Sequence, residues 1–173
     1  RLVTYTWVHL SVIHILLNVF ILMSLLPKFE RQFGTIRTSL TLICLSIAPA
    51  LIYCGLSLLF FPHTLVGGAS GIVFSLWGYY SYRDSLTTPT LQFSENFAIP
   101  MWASPVFTLL ITALLVPDSS FVGHFLGLIA GWGLVLGYFE FILEPSSNFI
   151  VKLETKADFL IRLFPPGCTY VKE

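Results

Sequence analysis

The chain has 173 residues, a length typical of one domain, of which 55% are apolar and only 10% charged, with a formal net charge of zero. A soluble domain carries about 25% charged residues. The runs 2–27, 38–82, 96–117 and 119–139 contain no Asp, Glu, Lys or Arg, and a membrane-spanning helix needs ~20 mostly apolar residues. The composition excludes an ordinary soluble enzyme, a nucleic-acid binder and a disordered chain. It predicts an all-α bundle of transmembrane helices.

The apolar runs predict five spans in chain order. They cover 4–26, with an end near Pro27, and then 38–61, 68–82, 98–116 and 122–143. The tail, 144–173, is more polar, and its stretch 149–164 places apolar and charged residues at helical spacing, which is typical of a helix lying along a membrane surface. Because the sequence starts at Arg1 inside an apolar run, we expect that a segment upstream is missing.

The basic residues predict an orientation, since cytosolic loops carry an excess of Lys and Arg. Five alternating spans place eight cations on one side, the cytosol: Lys28, Arg31, Arg37, Arg83, Lys152, Lys156, Arg162 and Lys172. All four histidines fall at or near the opposite side: His9, His14, His63 and His124. Histidine can take up and return a proton near neutral pH. We therefore expect a polar cavity that opens to the lumen or the exterior.

The third span is short, because its 16 residues from Gly67 to Tyr82 measure about 24 Å as a helix against a hydrocarbon core of ~30 Å. Its first turn would then begin inside the membrane, where irregular backbone must be buried or line a water-filled cavity. Ser70 lies at that helix start, where free backbone N–H groups favour a developing anion. This suits an acyl-transfer nucleophile. The alternative is that Ser70 only caps the helix, and an isolated Gly-x-Ser-Gly favours that alternative.

Two stripes of small residues could bring a base to Ser70. They are Gly127 and Gly131 on the face of His124, and Gly71, Ser75 and Gly78 on the third span. Small faces let membrane helices approach closely. If the stripes meet, His124 lies beside Ser70 and could deprotonate it. The alternative is a histidine that caps its helix or faces the membrane interface.

His14 and Asn18 share one face of the first span, four residues apart. Asn18 is an amide donor inside an apolar helix, where an unpaired polar group is costly. It could make an interhelical hydrogen bond, worth ~0.6–2 kcal/mol in membranes. It could instead donate to an oxyanion beside Ser70.

Three motifs in this order resemble one family, the rhomboid intramembrane serine proteases. They are His9-Leu-Ser-Val-Ile-His14-Ile-Leu-Leu-Asn18, then Gly68-Ala69-Ser70-Gly71, then His124-Phe-Leu-Gly127-Leu-Ile-Ala-Gly131. Glu30 and Gly34 resemble the connection between the first two motifs, and the resemblance covers about 1–143. The tail and the Ser-Phe-x-Gly-His pattern at 120–124 look most like the fungal Golgi rhomboids.

The resemblance implies roles for individual residues. Ser70 would be the nucleophile and His124 the general base of a dyad, with His14 and Asn18 helping to form the oxyanion hole. Phe74 would pack on the His124 ring, where many relatives have tyrosine, and the supporting residues would be His9, Gly68, Gly71, Gly127 and Gly131. No metal or cofactor is implied. The chain departs from the family in showing five rather than six spans and in having Gln32 where Arg is frequent.

At the level of the whole chain, the resemblance implies an N-terminally incomplete protease domain at 1–143 and a cytosolic amphipathic tail at 144–173. The protein would be a multi-pass serine endopeptidase of the Golgi membrane, facing the lumen, with membrane lipids and single-pass transmembrane substrates as partners and no nucleic acid. The alternative is a non-catalytic rhomboid-like chaperone or degradation factor, a class that loses Ser or His. A transporter or channel is disfavoured by the lack of an inverted repeat and of intramembrane charge.

Overall fold

The computed structural model of the chain describes residues 1–60, 66–116, 119–140, 147–165, 167 and 169–172. Its helices are α1 Val12–Phe33, α2 Thr35–Phe60, α3 Ser70–Ser85, α4 Ser104–Leu115, α5 Phe121–Val135, α6 Ser147–Lys156 and α7 Asp158–Ile161. Two 3-10 turns, at Thr4–Trp7 and Met101–Ala103, and one antiparallel hairpin, β1 Thr90–Ser94 with β2 Phe97–Pro100, complete these parts of the chain. The predicted all-α character is confirmed apart from the hairpin.

Helix α1 differs from the first predicted span at both ends. It begins after Ser11, whose side chain accepts a hydrogen bond from the backbone N–H of His14 over 3.1 Å, so the residues before it form only a 3-10 turn. It also continues past Pro27 to Phe33, so the predicted end near Pro27 is wrong. A proline removes one backbone hydrogen bond, and apolar membrane helices tolerate that loss.

Helices α1 and α2 are long and apolar enough to cross a membrane, with mean hydropathies of 2.0 and 2.2. Only 11% and 17% of the residues in these apolar stretches are buried inside the molecule. Two further apolar helical stretches, Met101–Leu115 and Phe121–Val135, are shorter. The large exposed apolar surface on α1 and α2 suits contact with lipid.

The fourth predicted span is too long, and the helix of the fifth predicted span is interrupted by a turn. Residues 98–103 belong to β2 and a 3-10 turn, so α4 begins only at Ser104. A charge-free apolar run does not by itself distinguish strand from helix, and this is why the hairpin was missed. Helix α5 ends at Val135, followed by a turn in which Gly137 has φ 86°. The predicted end at 143 lies outside the described residues.

Helix α3 is the centre of the packing, and most of its side chains are buried. One apolar cluster joins it to α1, α2 and α5: Phe29, Leu45, Ile72, Leu76, Tyr79, Tyr80, Ala130 and Leu134. A second joins it to α4 and α5: Phe74, Leu109 and Leu128. Because α3 is surrounded in this way, the residue at its first turn is fixed relative to the neighbouring helices.

The tail folds back onto the turn between α1 and α2. The backbone N–H of Thr35 donates to the carbonyl of Val171, and the N–H of Val171 donates to Thr35 Oγ1, each over 2.9 Å. Burial, followed by a hydrogen bond to Glu154, raises the pKa of the Tyr170 hydroxyl. The predicted helical structure of the tail is confirmed, and its position along a membrane surface stays a prediction.

Candidate active site

Ser70 is the first residue of α3, and its hydroxyl does not cap the helix. The N-cap position is Ala69, which makes no side-chain capping bond. Ser70 Oγ instead lies 2.8 Å from Nε2 of His124, which is within hydrogen-bond distance. The capping alternative for Ser70 is therefore wrong in this structure.

The loop before Ser70 is hydrogen-bonded to the N-terminal segment of the chain. The backbone N–H of Gly68 donates to the carbonyl of Tyr5 over 3.0 Å, and that of Ala69 donates to Nε2 of His9 over 3.4 Å. The first N–H groups of any α-helix lack partners in the helix, so the first turn of α3 offers donors at its positive end. Ser70 is thus held at a place that suits a negatively charged oxygen.

His124 is held by its helix and by an aromatic ring. Helix α5 begins after Ser120, whose Oγ accepts from the N–H of Gly123 over 3.1 Å, and His124 lies in the first turn, only 6% exposed. The Phe74 ring stacks on the imidazole, with centroids 4.7 Å apart and planes 25° apart. Within the described residues, His124 Nδ1 is buried without a hydrogen-bond partner. The orientation of the ring therefore depends on this stacking and on Ser70.

The two stripes of small residues meet. A Cβ built on Gly127 would overlap the carbonyl oxygen of Gly71, and one on Gly131 would overlap that of Ser75. The Ser75 hydroxyl donates to the carbonyl of Gly127 over 2.8 Å, which bridges α3 and α5. Glycine is required at 127 and 131 because the partner atoms are backbone, which cannot rotate away.

Two histidines lie at the loop before Ser70: His14 in the first turn of α1, and His9 in the segment that precedes this helix. The rings of His9 and His14 are 5.1 Å apart and steeply inclined. The His14 ring lies against Gly68, where a Cβ would come within 2.6 Å of its Cε1; Gly68 also has φ 111°, a conformation that favours glycine. The fourth histidine, His63, is outside the described residues.

Asn18 is buried, with 4% of its surface exposed. Its Nδ2 donates to the carbonyl of His14 over 2.9 Å, within α1. A side-chain amide has two N–H donors, so one remains after this bond. The structure therefore places Asn18 on the face of His14, as the spacing predicts, and the second N–H of its amide can donate to another acceptor.

Tyr5 has a position that the sequence did not reveal. Its carbonyl accepts from Gly68, and its hydroxyl donates to the carbonyl of Ser46 in α2 over 3.2 Å. It thereby ties the loop before Ser70 to the second helix. No local pattern signals this role, because it depends on a single 3-10 turn and on contacts between residues more than 40 positions apart.

The chemistry available here is proton transfer between a hydroxyl and an imidazole. In the part of the chain that the structure describes, no group of three or more His, Cys, Asp or Glu could hold a metal ion. Cys44 and Cys54 are free thiols. Ser70 and His124 meet the geometric requirement for a nucleophile and its base.

Comparison with known proteins gives consistent results. A protein-family model described as "Rhomboid domain" matches residues 1–141. "Rhomboid-type serine protease 2" of Yarrowia lipolytica is 41% identical over 174 residues, which cover 100% of this chain and 59% of that protein. The protein of the same name from Saccharomyces cerevisiae is 38% identical, with 100% and 67% covered, and that of Candida albicans is 36% identical, with 98% and 61% covered. No solved structure matches the chain.

The chain thus spans 59% to 67% of the length of these fungal relatives. The resemblance inferred from the three motifs is confirmed by a match over residues 1–141. The chain belongs to the rhomboid family of integral membrane proteins.

Proposed function

We propose that this chain carries the catalytic centre of an intramembrane serine endopeptidase, and that its substrates are single-pass transmembrane proteins. The observation that carries the proposal is the 2.8 Å distance between Ser70 Oγ and His124 Nε2. The printed names of the fungal relatives, which call them serine proteases, support it. A non-catalytic rhomboid-like protein is not favoured, because such a protein would lack one of the two residues.

The reaction follows from this geometry. Ser70 Oγ attacks the carbonyl carbon of the scissile peptide while His124 Nε2 takes the hydroxyl proton. The resulting oxyanion is stabilised by N–H groups of the first turn of α3 and by side chains of His14 and Asn18. His124 then returns the proton to the leaving amine. A water molecule that His124 deprotonates attacks the acyl carbon, the ester bond to Ser70 Oγ breaks, and His124 returns the proton to that oxygen.

The ring contact of Phe74 replaces the carboxylate that orients histidine in many serine proteases. Stacking at 4.7 Å fixes the plane of the imidazole and so directs Nε2 at Ser70 Oγ. We propose that Phe74 is a positioning residue. Gly127 and Gly131 act with it, because they allow the approach of α5 to α3 that brings the two side chains within hydrogen-bond distance.

We further propose that residues 1–143 cross the membrane five times, with the Ser70 end facing the lumen of the Golgi and the tail, 144–173, in the cytosol. The eight Lys and Arg on one side support this orientation. Helix α3 has only 16 residues, about 24 Å, so Ser70 would lie below the luminal surface. The hydrolytic water must then reach it through a polar opening near His14 and His124.

Cysteine labelling tests the orientation in a background without Cys44, Cys54 and Cys168. A cysteine at position 70 should react with a polar thiol reagent added from the luminal side only. One at position 77 should be protected from both sides, since Trp77 is half-buried and lies next to Phe74. Reaction of position 70 from the cytosolic side would overturn the orientation.

A fluorophosphonate probe for serine hydrolases tests the catalytic proposal in membranes that contain the protein. The wild type should be labelled, and Ser70→Ala and His124→Ala should lose labelling and cleavage of a transmembrane reporter. Ser85→Ala is the matched control, because Ser85 is the last residue of α3 and its hydroxyl bonds locally to the carbonyl of Tyr82. Wild-type labelling of Ser70→Ala would contradict the proposal.

A further inference from the structure

The hairpin between α3 and α4 has one apolar face. Strands β1 and β2 pair Leu91 with Ile99 and Gln92 with Ala98, and the register shifts between Gln92 and Ser94. Successive side chains of a strand point to opposite faces, so within β2 Phe97 and Ile99 share one face, while Ala98 and its partner Gln92 project from the other. Phe93 lies at the register shift, and its ring contact with Phe97 places it on the face of Phe97. The hairpin follows the last residue of α3, which places it at the end of the bundle away from Ser70.

Three phenylalanine rings form a cluster on this face. Phe93 lies 5.7 Å from Phe97 and 6.0 Å from Phe107 of α4, and Phe97 lies 6.4 Å from Phe107, measured between ring centroids. The three residues nevertheless remain 54%, 47% and 38% exposed. A two-stranded hairpin alone is marginally stable in water. The outer surfaces of the rings therefore call for a further apolar partner.

The exposed face of α4 continues the same surface. Leu110, Ile111 and Leu114 follow Phe107 at three, four and seven positions and are exposed, so they form one stripe along the helix. In an integral membrane protein such a stripe faces lipid. The aromatic cluster is thus the end of a lipid-facing surface, and this continuity favours lipid over a protein as its partner.

The length of α4 gives a second reason. Its 12 residues measure about 18 Å, well below the ~30 Å of the hydrocarbon core. The helix alone cannot reach both interfaces. The hairpin and Trp102, which is 47% exposed, directly precede α4 in the chain, and tryptophan is enriched at membrane–water interfaces.

The charges define the partner further. Between residues 86 and 116 the sequence has a single charged side chain, Glu95, at the turn between the strands. No cation of this segment could recruit an anionic headgroup. The carboxylate at the tip and the amide of Gln92, which donates to the carbonyl of Ser94 over 2.9 Å, suit the headgroup layer instead.

We propose that this hairpin is an interfacial anchor: its Phe93–Phe97–Phe107 cluster inserts between the lipids of the leaflet opposite Ser70, with Glu95 among the headgroups. The partner is the upper acyl region of a zwitterionic phospholipid bilayer, and binding does not need anionic lipid. The anchor sets the depth of α4 and so of the end of the bundle. This proposal is independent of catalysis, since it uses no residue of the Ser70 site.

Spin labelling tests the proposal on the whole protein reconstituted in phosphatidylcholine vesicles. Nitroxides are attached singly to cysteines that replace Phe93, Phe97 or Gln92, in a background without Cys44, Cys54 and Cys168. For each label, the measured quantity is the ratio of its collision rate with oxygen to its collision rate with an aqueous nickel chelate. This ratio should be severalfold higher for the labels at 93 and 97 than for the label at 92. Gln92 is the matched control because its partner Ala98 projects from the face of the hairpin opposite to Phe97.

Two results would overturn the anchor. Equal exposure of positions 92, 93 and 97 to the nickel chelate would place the hairpin in water. Shielding of 93 and 97 from both reagents would instead mean that protein covers the cluster. Retained helical circular dichroism in each labelled protein, together with agreement between positions 93 and 97, guards against a local effect of one label. Adding anionic lipid should leave the ratios unchanged.

Discussion

The two ends of α3 are fastened to their neighbours by different means. At the Ser70 end, the backbones of α3 and α5 touch at Gly127 and Gly131, and a stacked ring orients the base. At the other end, long polar side chains add contacts to the apolar cluster of Phe29, Tyr79 and Tyr80. They include an ion pair of Lys28 with Asp84 over 3.7 Å and a hydrogen-bonded group of Gln32, Tyr79 and Arg83.

The difference has a mechanical consequence. A backbone-to-backbone contact fixes a distance, because neither partner can rotate, whereas Lys and Arg side chains can adjust to a displaced partner. The catalytic proposal needs a donor–acceptor distance near 2.8 Å. We therefore expect activity to respond steeply to small changes at the Ser70 end and weakly to changes of charge at the opposite end.

The largest effect is expected from Gly131→Ala. The added methyl group would overlap the carbonyl oxygen of Ser75, so α5 must move away from α3. Overpacking of this kind costs ~1–3 kcal/mol of stability, and we expect cleavage and probe labelling to be lost as His124 withdraws from Ser70. Activity and thermal unfolding in detergent are the measurements.

Gly55→Ala is the control for that substitution, because a Cβ at Gly55 has no neighbouring atom within 4 Å. It should retain wild-type activity and melting temperature. If Gly131→Ala kept wild-type activity, close approach of the two backbones would not be what positions the dyad.

The next effect concerns Asn18. Asn18→Ala should lower kcat by ~10²–10³ if the amide donates to the oxyanion, with KM and melting temperature nearly unchanged. The substitution does not orphan the carbonyl of His14, because that oxygen also accepts a backbone N–H in α1. Val19→Ala, next along the helix and exposed, is the control. Unchanged turnover in Asn18→Ala would leave Asn18 a structural role only.

A smaller effect is expected at Phe74. Phe74→Leu removes the ring that stacks on His124, a contact worth ~0.5–1.5 kcal/mol, and should lower kcat about two- to tenfold. Phe74→Tyr keeps the ring and should retain most of the activity. A kcat of Phe74→Leu equal to that of the wild type would show that the imidazole does not need the stacking partner.

The sequence predicts well what repeats locally. Charge-free runs locate α2 and α3 to within a few residues. The spacing of small residues marks the faces of the third and fifth spans that do pack against each other. In both cases the signal is a period along one helix. Residues chosen for close packing leave such a period even when their partner is far away in the chain.

The features that the sequence does not predict leave no period along one helix. The start of α4 was missed because the strand residues 97–100 are as apolar and uncharged as a span. The tie from Tyr5 to Gly68 and Ser46 depends on one residue in an irregular turn, which has no period. Pro27 taken alone predicts a helix end, whereas the apolar surroundings of a membrane helix let α1 continue through it to Phe33.

The smallest effect is expected at the polar end, and it sharpens the contrast between the two ends. The side chains of Lys28 and Asp84 are about half exposed, and exposed ion pairs contribute only ~0–1 kcal/mol. Lys28 Nζ also lies 4.1 Å from the centre of the Tyr80 ring, a cation–π contact worth ~0.5–1 kcal/mol at exposed sites.

Asp84→Asn removes the ion pair alone, and Lys28→Met removes both contacts while keeping most of the aliphatic stem. We expect Asp84→Asn to lower the melting temperature slightly and only at low salt, Lys28→Met to lower it somewhat more, and neither to change kcat. A loss of activity in either variant as large as that in Gly131→Ala would mean that the polar end, too, controls the distance between Ser70 and His124.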